Sequence, residues 1–325
     1  MRATKTLPTF SGAVAAYVAY QRTLGRNYVA VKYILEGLRR YLVCQRAVDL
    51  TALLYERWCR DQRYLSPNTL RGRQYVIRKF CLYRRRSEPL CFVPDPLFAK
   101  PRPYIEPVLI TDDHIARMLE VIGTLPAVSV SPLRSAVMRM AVVLLYTAGL
   151  RRGELVRLRL GDIDARMGVL RVCESKFHRS RLIPLSRDAH RELRHYLRQR
   201  LVKPYDQRTD APLLCNTHSG SCRGYTGAGM AQAINRIFVQ ANVHDEEGRR
   251  PRVHNTRHSF ALQALIRCYR RGDDVQTQLP KLALYMGHVS IVSTAYYLRF
   301  IPEVAALASQ RFGKNFAHVI ENGAT

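Results

Sequence analysis

The 325-residue chain has no apolar run near the roughly 20 residues of a membrane span. Its N-terminus, Met1-Arg2-Ala3-Thr4-Lys5, leads into no apolar signal core, so neither a membrane anchor nor a secretory leader is expected. Acidic residues are scarce, 25 Asp and Glu against 52 Lys and Arg, for a net charge of +27. Lysine is scarce as well: 44 of the 52 basic residues are arginine and 8 are lysine. An excess of that size implies a polyanionic partner, DNA or RNA, or else an anionic membrane surface. The basic residues accompany globular apolar periodicity, which disfavours the membrane surface. The eight cysteines fall mostly inside expected helices and strands, the usage of reduced thiols in a cytoplasmic protein rather than of a disulfide framework. Cys215, His218 and Cys222 have part of a zinc spacing but lack a fourth ligand, so no metal site is expected.

Hydrophobic residues make up 47% of the chain, enough to bury ordinary cores, and the length suits two domains. Residues 8–86 have helical spacing; from Tyr28 to Leu42 the apolar stripe is Val31, Ile34, Leu35, Leu38 and Leu42. Ser66-Pro67 has the form of an N-cap followed by a proline at the first helical position. The helix it opens carries Arg71, Arg73, Arg78 and Lys79 interleaved with aromatics, a pattern suited to nucleic-acid backbone contact. Prolines crowd residues 94–107, exclude a regular helix there and mark a linker. Residues 1–106 hold 20 Lys and Arg against 7 Asp and Glu, and residues 107–325 hold 32 against 18, so the first part is about twice as dense in charge. Beyond the linker, Thr111 caps a helix, 131–148 is a mostly apolar helix, and 170–184 reads as a β-hairpin. Helices follow near 188–203, 227–242 and 255–271, with a last amphipathic segment over 302–320.

The chemistry-bearing residues are dispersed. Arg151 follows Gly149-Leu150, with Glu154 one helical turn on, able to hold its guanidinium. His254 and Arg257 share one face at the start of a helix, where the N-terminus also favours phosphate. Gly287-His288 precedes the tyrosine pair Tyr296-Tyr297. Cleaving a phosphodiester with a side-chain nucleophile needs fixed donors for the growing oxygen charge and an acid for the leaving oxygen. Arginine supplies a bidentate clamp and tyrosine can attack. Carboxylate clusters of the two-metal kind are absent around these motifs, so cationic side chains must do this work.

Taken in order, Gly149-Leu150-Arg151-Arg152-Gly153-Glu154, His254-x2-Arg257-His258, Gly287-His288 and Tyr297 nine residues later resemble the tyrosine recombinase (phage integrase) family. Lys176, eight residues before Pro184, matches that family's hairpin lysine, although Phe177-His178 replaces the small residues usual in the turn. The resemblance covers residues 108–315 with specific motifs and most resembles integrases of transposons and other mobile elements. It implies a mainly α fold with a small β-sheet/hairpin. An N-terminal helical (SAM-like) core-binding domain would occupy residues 1–93, a proline-rich linker 94–107, and a mixed α/β catalytic domain 108–325. It further implies that Arg151 and Arg257 clamp the scissile phosphate, His254 acts beside it as acid/base or donor, and His288 donates to a phosphate oxygen. Lys176 would protonate the leaving 5′-oxygen and Tyr297 would attack, giving a 3′-phosphotyrosyl intermediate. The spacing from His288 selects Tyr297 over Tyr296. Arg179 is the nearest alternative to Lys176, but a guanidinium is a poor proton donor.

No cofactor is implied. The resemblance implies double-stranded DNA as the partner, bound by a homo-oligomer (a tetramer), in some cases with other recombinases. Ile301–Ala308 is either packed on its own domain or docked on a neighbouring protomer. Two other activities remain open from the residues alone: a type IB topoisomerase-like nicking and closing enzyme, and a non-catalytic DNA-binding accessory protein.

Overall fold

The computed structural model describes residues 10–25, 28–103, 105–173, 180–202, 205–218, 221–288, 290 and 292–295. The chain divides into two compact units, residues 1–105 and 106–325.

The first unit contains α1 (Phe10–Thr23), α2 (Val29–Cys44), α3 (Ala52–Asp61) and α4 (Pro67–Arg84). Ser66 accepts a hydrogen bond from the Thr69 amide and Pro67 opens α4, as the sequence predicts. Phe80 is fully buried and meets Phe10 edge-on with ring centroids 5.5 Å apart. Arg84 is buried at the end of α4, where Asp49 takes both its Nη groups at 2.7 and 2.9 Å and Glu88 takes two further bonds, from Nε and Nη2. The proline-rich stretch does not leave this unit at once. Ala99 N donates to Gln74 Oε1 at 2.8 Å, Arg102 N donates to Asn68 Oδ1 at 3.0 Å, and Arg78 donates to the Pro94 carbonyl. Prolines forbid a helix there, but the extended chain still offers carbonyls and amides that α4 can bind.

The second unit carries α5 (Asp112–Gly123), α6 (Arg134–Thr147), α7 (Arg152–Arg157), β1 (Ile163–Asp164), β2 (Val169–Val172), β3 (Arg181–Pro184), α8 (Arg187–Arg200), β4 (Cys215–His218), β5 (Ser221–Gly224), α9 (Gly227–Gln240), α10 (Val253–Arg270), α11 (Val275–Met286) and α12 (Val292–Ala295). Strands β1, β2 and β3 form one antiparallel sheet in that order, and β4 and β5 pair separately. The hairpin expectation holds, with Val169 opposite Pro184 and Val172 opposite Arg181. The pair β4–β5 stands where the sequence suggested only a partial zinc spacing, and among the described residues no group of three or more His, Cys, Asp or Glu is arranged to hold a metal. Helix α11 was not anticipated, because Pro280 lies inside it. No helix among the described residues is long and apolar enough to cross a membrane.

α6 is buried nearly all round, from Val137 through Leu145, and forms the centre of the second core. It stops at Gly149, whose φ of +58° a residue with a side chain rarely adopts. A Cβ there would lie 2.4 Å from Phe260 Cδ1. This turn aims the chain at Arg151 and α7. Gly149→Ala is expected to cost about 1–2 kcal/mol for the left-handed backbone and about 1–3 kcal/mol more for overpacking against Phe260. Urea denaturation checks this: the midpoint should fall clearly, and an unchanged midpoint refutes the packing argument.

Candidate active site

Residues far apart in sequence meet around one carboxylate. Glu154 sits in the first turn of α7 with its side chain 1% exposed. Its Oε1 accepts from Arg151 Nη1 at 2.7 Å and Arg181 Nη1 at 3.0 Å. Its Oε2 accepts from the Arg151 amide and from Arg181 Nη2, both at 2.9 Å. Arg257 Nη1 stands 4.0 Å from the same oxygen. Burial pushes the carboxyl pKa up, but the bonds from Arg181 and Arg151 outweigh this and hold it at about 2. Glu154 is therefore ionised at any working pH.

The second anchor is the end of α11. Gly287 adopts φ +66° and closes the helix, with its amide bonded to Leu284 O and the His288 amide to Ala283 O. The next three carbonyls, which a helix end leaves without backbone partners, are taken by arginines. Tyr285 O accepts from Arg181 Nε at 2.8 Å, Met286 O from Arg257 Nη2, and Gly287 O from Arg151 Nη2 at 2.8 Å. The negative end of the helix dipole favours cations at this position. Arg257, 1% exposed, also donates to Gly149 O at 2.6 Å, so the turn that ends α6 fixes it too.

The histidines border this cluster. His254 lies at the start of α10, its ring 4.8 Å from that of His258 and nearly perpendicular to it. Its pKa is lowered by partial burial and then by the charges of Arg257 and Arg151. His258 is pushed down to about 4 by burial, with His254 and Arg257 adding to the effect. His288 is likewise pushed down to about 4, by burial and then by Arg257 and Arg151. Its Nδ1 lies 2.7 Å from the hydroxyl of Thr294, which fixes the ring orientation. All three rings are thus neutral near pH 7 before any anion arrives. A phosphate in their midst would favour the protonated forms.

Of the residues singled out from sequence, Arg151, Arg257, His254 and His288 come together here. Lys176, Tyr296 and Tyr297 lie outside the described residues, as do Arg179 and Ile301–Ala308. Arg181 and Thr294 were not singled out. Arg181 could have been: it shares a strand face with buried Ile183, and a charged residue facing a core needs a partner. The basic residues of α4 belong to the first unit, and each has a contact there. Arg71 donates to Ala99 O at 3.2 Å, with its guanidinium 5.3 Å from the Phe98 ring centroid. Arg73 donates to Gln62 Oε1, Arg78 to Pro94 O, and Lys79 Nζ sits 4.6 Å above Tyr75. Arg71 and Lys79 remain exposed.

The low pKa of Glu154 makes a prediction about stability. The folded value, about 2, lies below the ordinary 4.5, so its contribution is complete above about pH 4.5 and is lost as pH falls toward 2. Glu154→Gln should cost about 3–5 kcal/mol at pH 7, because it strips buried arginines of their counter-charge. The gap in unfolding free energy between wild type and variant should be flat above pH 5 and narrow below it. Urea titrations at stepped pH measure this gap, and a gap constant down to pH 3 contradicts the assignment.

"Putative integrase/recombinase y4rB" of Sinorhizobium fredii is 28% identical over 313 residues, covering 95% of this chain and 99% of its own length. A second protein of the same organism, "Putative integrase/recombinase y4rE", is 30% identical over 251 residues, 76% of this chain and 77% of its own. Among solved structures, the Tn1549 transposon integrase in complex with a circular intermediate DNA superposes with a TM-score of 0.65 at 19% identity, over 93% of this chain and 99% of that one, a likeness of fold. The family model described as the phage integrase family matches residues 109–302, the stretch that holds Arg151, Glu154, Arg257 and His288, and the chain belongs to that family.

Proposed function

We propose that this protein is a site-specific DNA recombinase that cuts and rejoins duplex DNA through a 3′-phosphotyrosyl intermediate, in the movement of a mobile element. The observation that carries the reading is the convergence of Arg151, Arg257, His254 and His288 from the ends of three helices, with the arginines held by Glu154 and by helix-end carbonyls. Such preorganised cations suit a reaction whose charge grows on non-bridging oxygens, because they need not reorganise as it grows. Arg151 and Arg257 clamp the phosphate. His254, neutral before substrate binds, accepts or shares the proton of the attacking hydroxyl, and His288 donates to a phosphate oxygen. The Tyr297 oxygen attacks phosphorus, the bond to the 5′-oxygen breaks, and Lys176 supplies the proton that leaves with it. The phosphodiester energy is kept in the tyrosyl ester, so attack by a 5′-hydroxyl reverses the step without a cofactor.

The remaining roles follow from the same reading. Arg71, Arg73, Arg78 and Lys79 supply sequence-independent contacts to the DNA backbone; an arginine with one N–H committed internally keeps others for phosphate. Strand exchange between two duplexes calls for a tetramer on DNA, with Ile301–Ala308 as the segment that docks on a neighbouring protomer. The eight thiols, none in a disulfide, fit the reducing cytoplasm.

Tyr297→Phe is expected to abolish covalent attachment while leaving DNA affinity within a few-fold. A nicked suicide duplex built from the DNA flanking the gene, resolved on a denaturing gel, should trap wild type and Tyr296→Phe but not Tyr297→Phe. Trapping by Tyr297→Phe removes that residue as nucleophile. Lys176→Ala should slow cleavage roughly 100–10,000-fold, the usual worth of a general acid. A 5′-bridging phosphorothiolate, whose leaving group needs no proton, should restore most of the rate, and failure of that rescue assigns Lys176 a role other than proton donor.

A further inference from the structure

Arg181 is an arginine of the site that the reaction scheme above does not use. It starts β3, five residues after Lys176, with its side chain 9% exposed. All three of its guanidinium nitrogens are engaged inside the protein: Nη1 and Nη2 on the two oxygens of Glu154, and Nε on Tyr285 O. Gly287 leaves room for it, since a Cβ there would lie 2.9 Å from Arg181 Nη1.

We infer that Arg181 is a positioning residue for strand cleavage, acting through Glu154 to keep Arg151 presented to the scissile phosphate. The inference rests on the recombinase reading above. A carboxylate facing a guanidinium prefers the bidentate, two-bond arrangement. Arg181 occupies that arrangement on Glu154. Arg151 is left with a single side-chain bond to Oε1, a bond to Gly287 O, and 23% of its side chain exposed. Without Arg181, Glu154 is free to close on Arg151 with both oxygens and draw its charge away from substrate. The charge count agrees. Glu154 offsets one of the three guanidiniums of Arg151, Arg181 and Arg257, leaving about two positive charges. A phosphodiester carries one negative charge, and its pentacovalent transition state about two. Removing Arg181 takes away one of the two charges and the geometry of another. Lysine cannot substitute fully, because a point charge cannot bridge both carboxylate oxygens and Tyr285 O.

The test is the single-turnover rate of covalent attachment to a nicked suicide duplex, run on an ordinary phosphate and on a methylphosphonate at the scissile position. The methylphosphonate lacks the non-bridging charge that the arginines balance. Arg181→Met is expected to slow attachment about 100-fold or more on phosphate, the usual cost of one preorganised donor. On methylphosphonate it should be within a few-fold of wild type, and on both substrates the dissociation constant for DNA should change only a few-fold. Arg181→Lys should fall between wild type and Arg181→Met on phosphate. Adding Arg181→Met to Glu154→Gln should slow that variant little further. If Arg181→Met does not fold, Arg181→Lys carries the test, with a loss confined to phosphate as the expected result. An Arg181→Met rate within threefold of wild type overturns the inference, and so does an equal loss on both substrates, which marks a merely structural role. If wild type itself forms no adduct, the recombinase reading fails and the inference with it; a wild-type adduct with an unimpaired variant sinks the inference alone.

Discussion

Three successive carbonyls at the end of α11, those of Tyr285, Met286 and Gly287, each accept from a different arginine, and everything else in the site depends on that end. A helix must leave its last carbonyls unpaired, and cations satisfy them best. Among the described residues, Glu154 supplies the full negative charge that the three guanidiniums share. Burying like charges so close together is costly unless each is bonded. Here the bonds come from a carboxylate that is almost fully buried and from the carbonyls of a helix end. The left-handed turns at Gly149 and Gly287 bring those acceptors into place.

This explains how the pKa shifts and the proposed chemistry fit together. The same positive field that favours a phosphate drives the neighbouring histidines toward neutrality, with burial the larger cause. On the proposed reading, His254 and His288 would meet a phosphate as uncharged rings able to accept or donate a proton. The field that lowers their affinity for protons is offset when a phosphate occupies the site, so binding and protonation are linked.

The parts of the site that are legible in sequence are those whose residue types carry chemistry at recognisable spacing: Arg151 with Glu154, His254 with Arg257, and Gly287-His288. The α4 cap at Ser66-Pro67 and the β2–β3 hairpin are legible for the same reason, since local chemistry determines them. Arg181 shows in sequence only as a charged residue on the strand face of buried Ile183; its partners, a carboxylate 27 residues upstream and a carbonyl 104 residues downstream, are a coincidence of tertiary structure. Thr294 escaped because a threonine six residues after His288 looks like any other hydroxyl until the structure places it 2.7 Å from the ring. Helix α11 escaped because Pro280 argues against a helix locally while Val275, Leu279, Ala283 and Met286 argue for one through burial. The proline-rich stretch was legible as extended chain but not as chain hydrogen-bonded along α4, because main-chain partners leave no trace in side-chain composition.

The end of α11 likewise leaves no trace in side-chain composition. A carbonyl is the same group whatever residue bears it. Exchanging Tyr285 or Met286 for another helix-forming residue leaves the acceptors for Arg181 and Arg257 in place. Hereditary drift at those two positions is thus largely silent for the holding of the arginines, and what inheritance must preserve is the point at which the helix stops. A lineage could change much of the lettering around this site and keep its charge architecture, while an insertion of one residue within α11 upstream of Tyr285 would rotate all three acceptors by about 100° away from the arginines together.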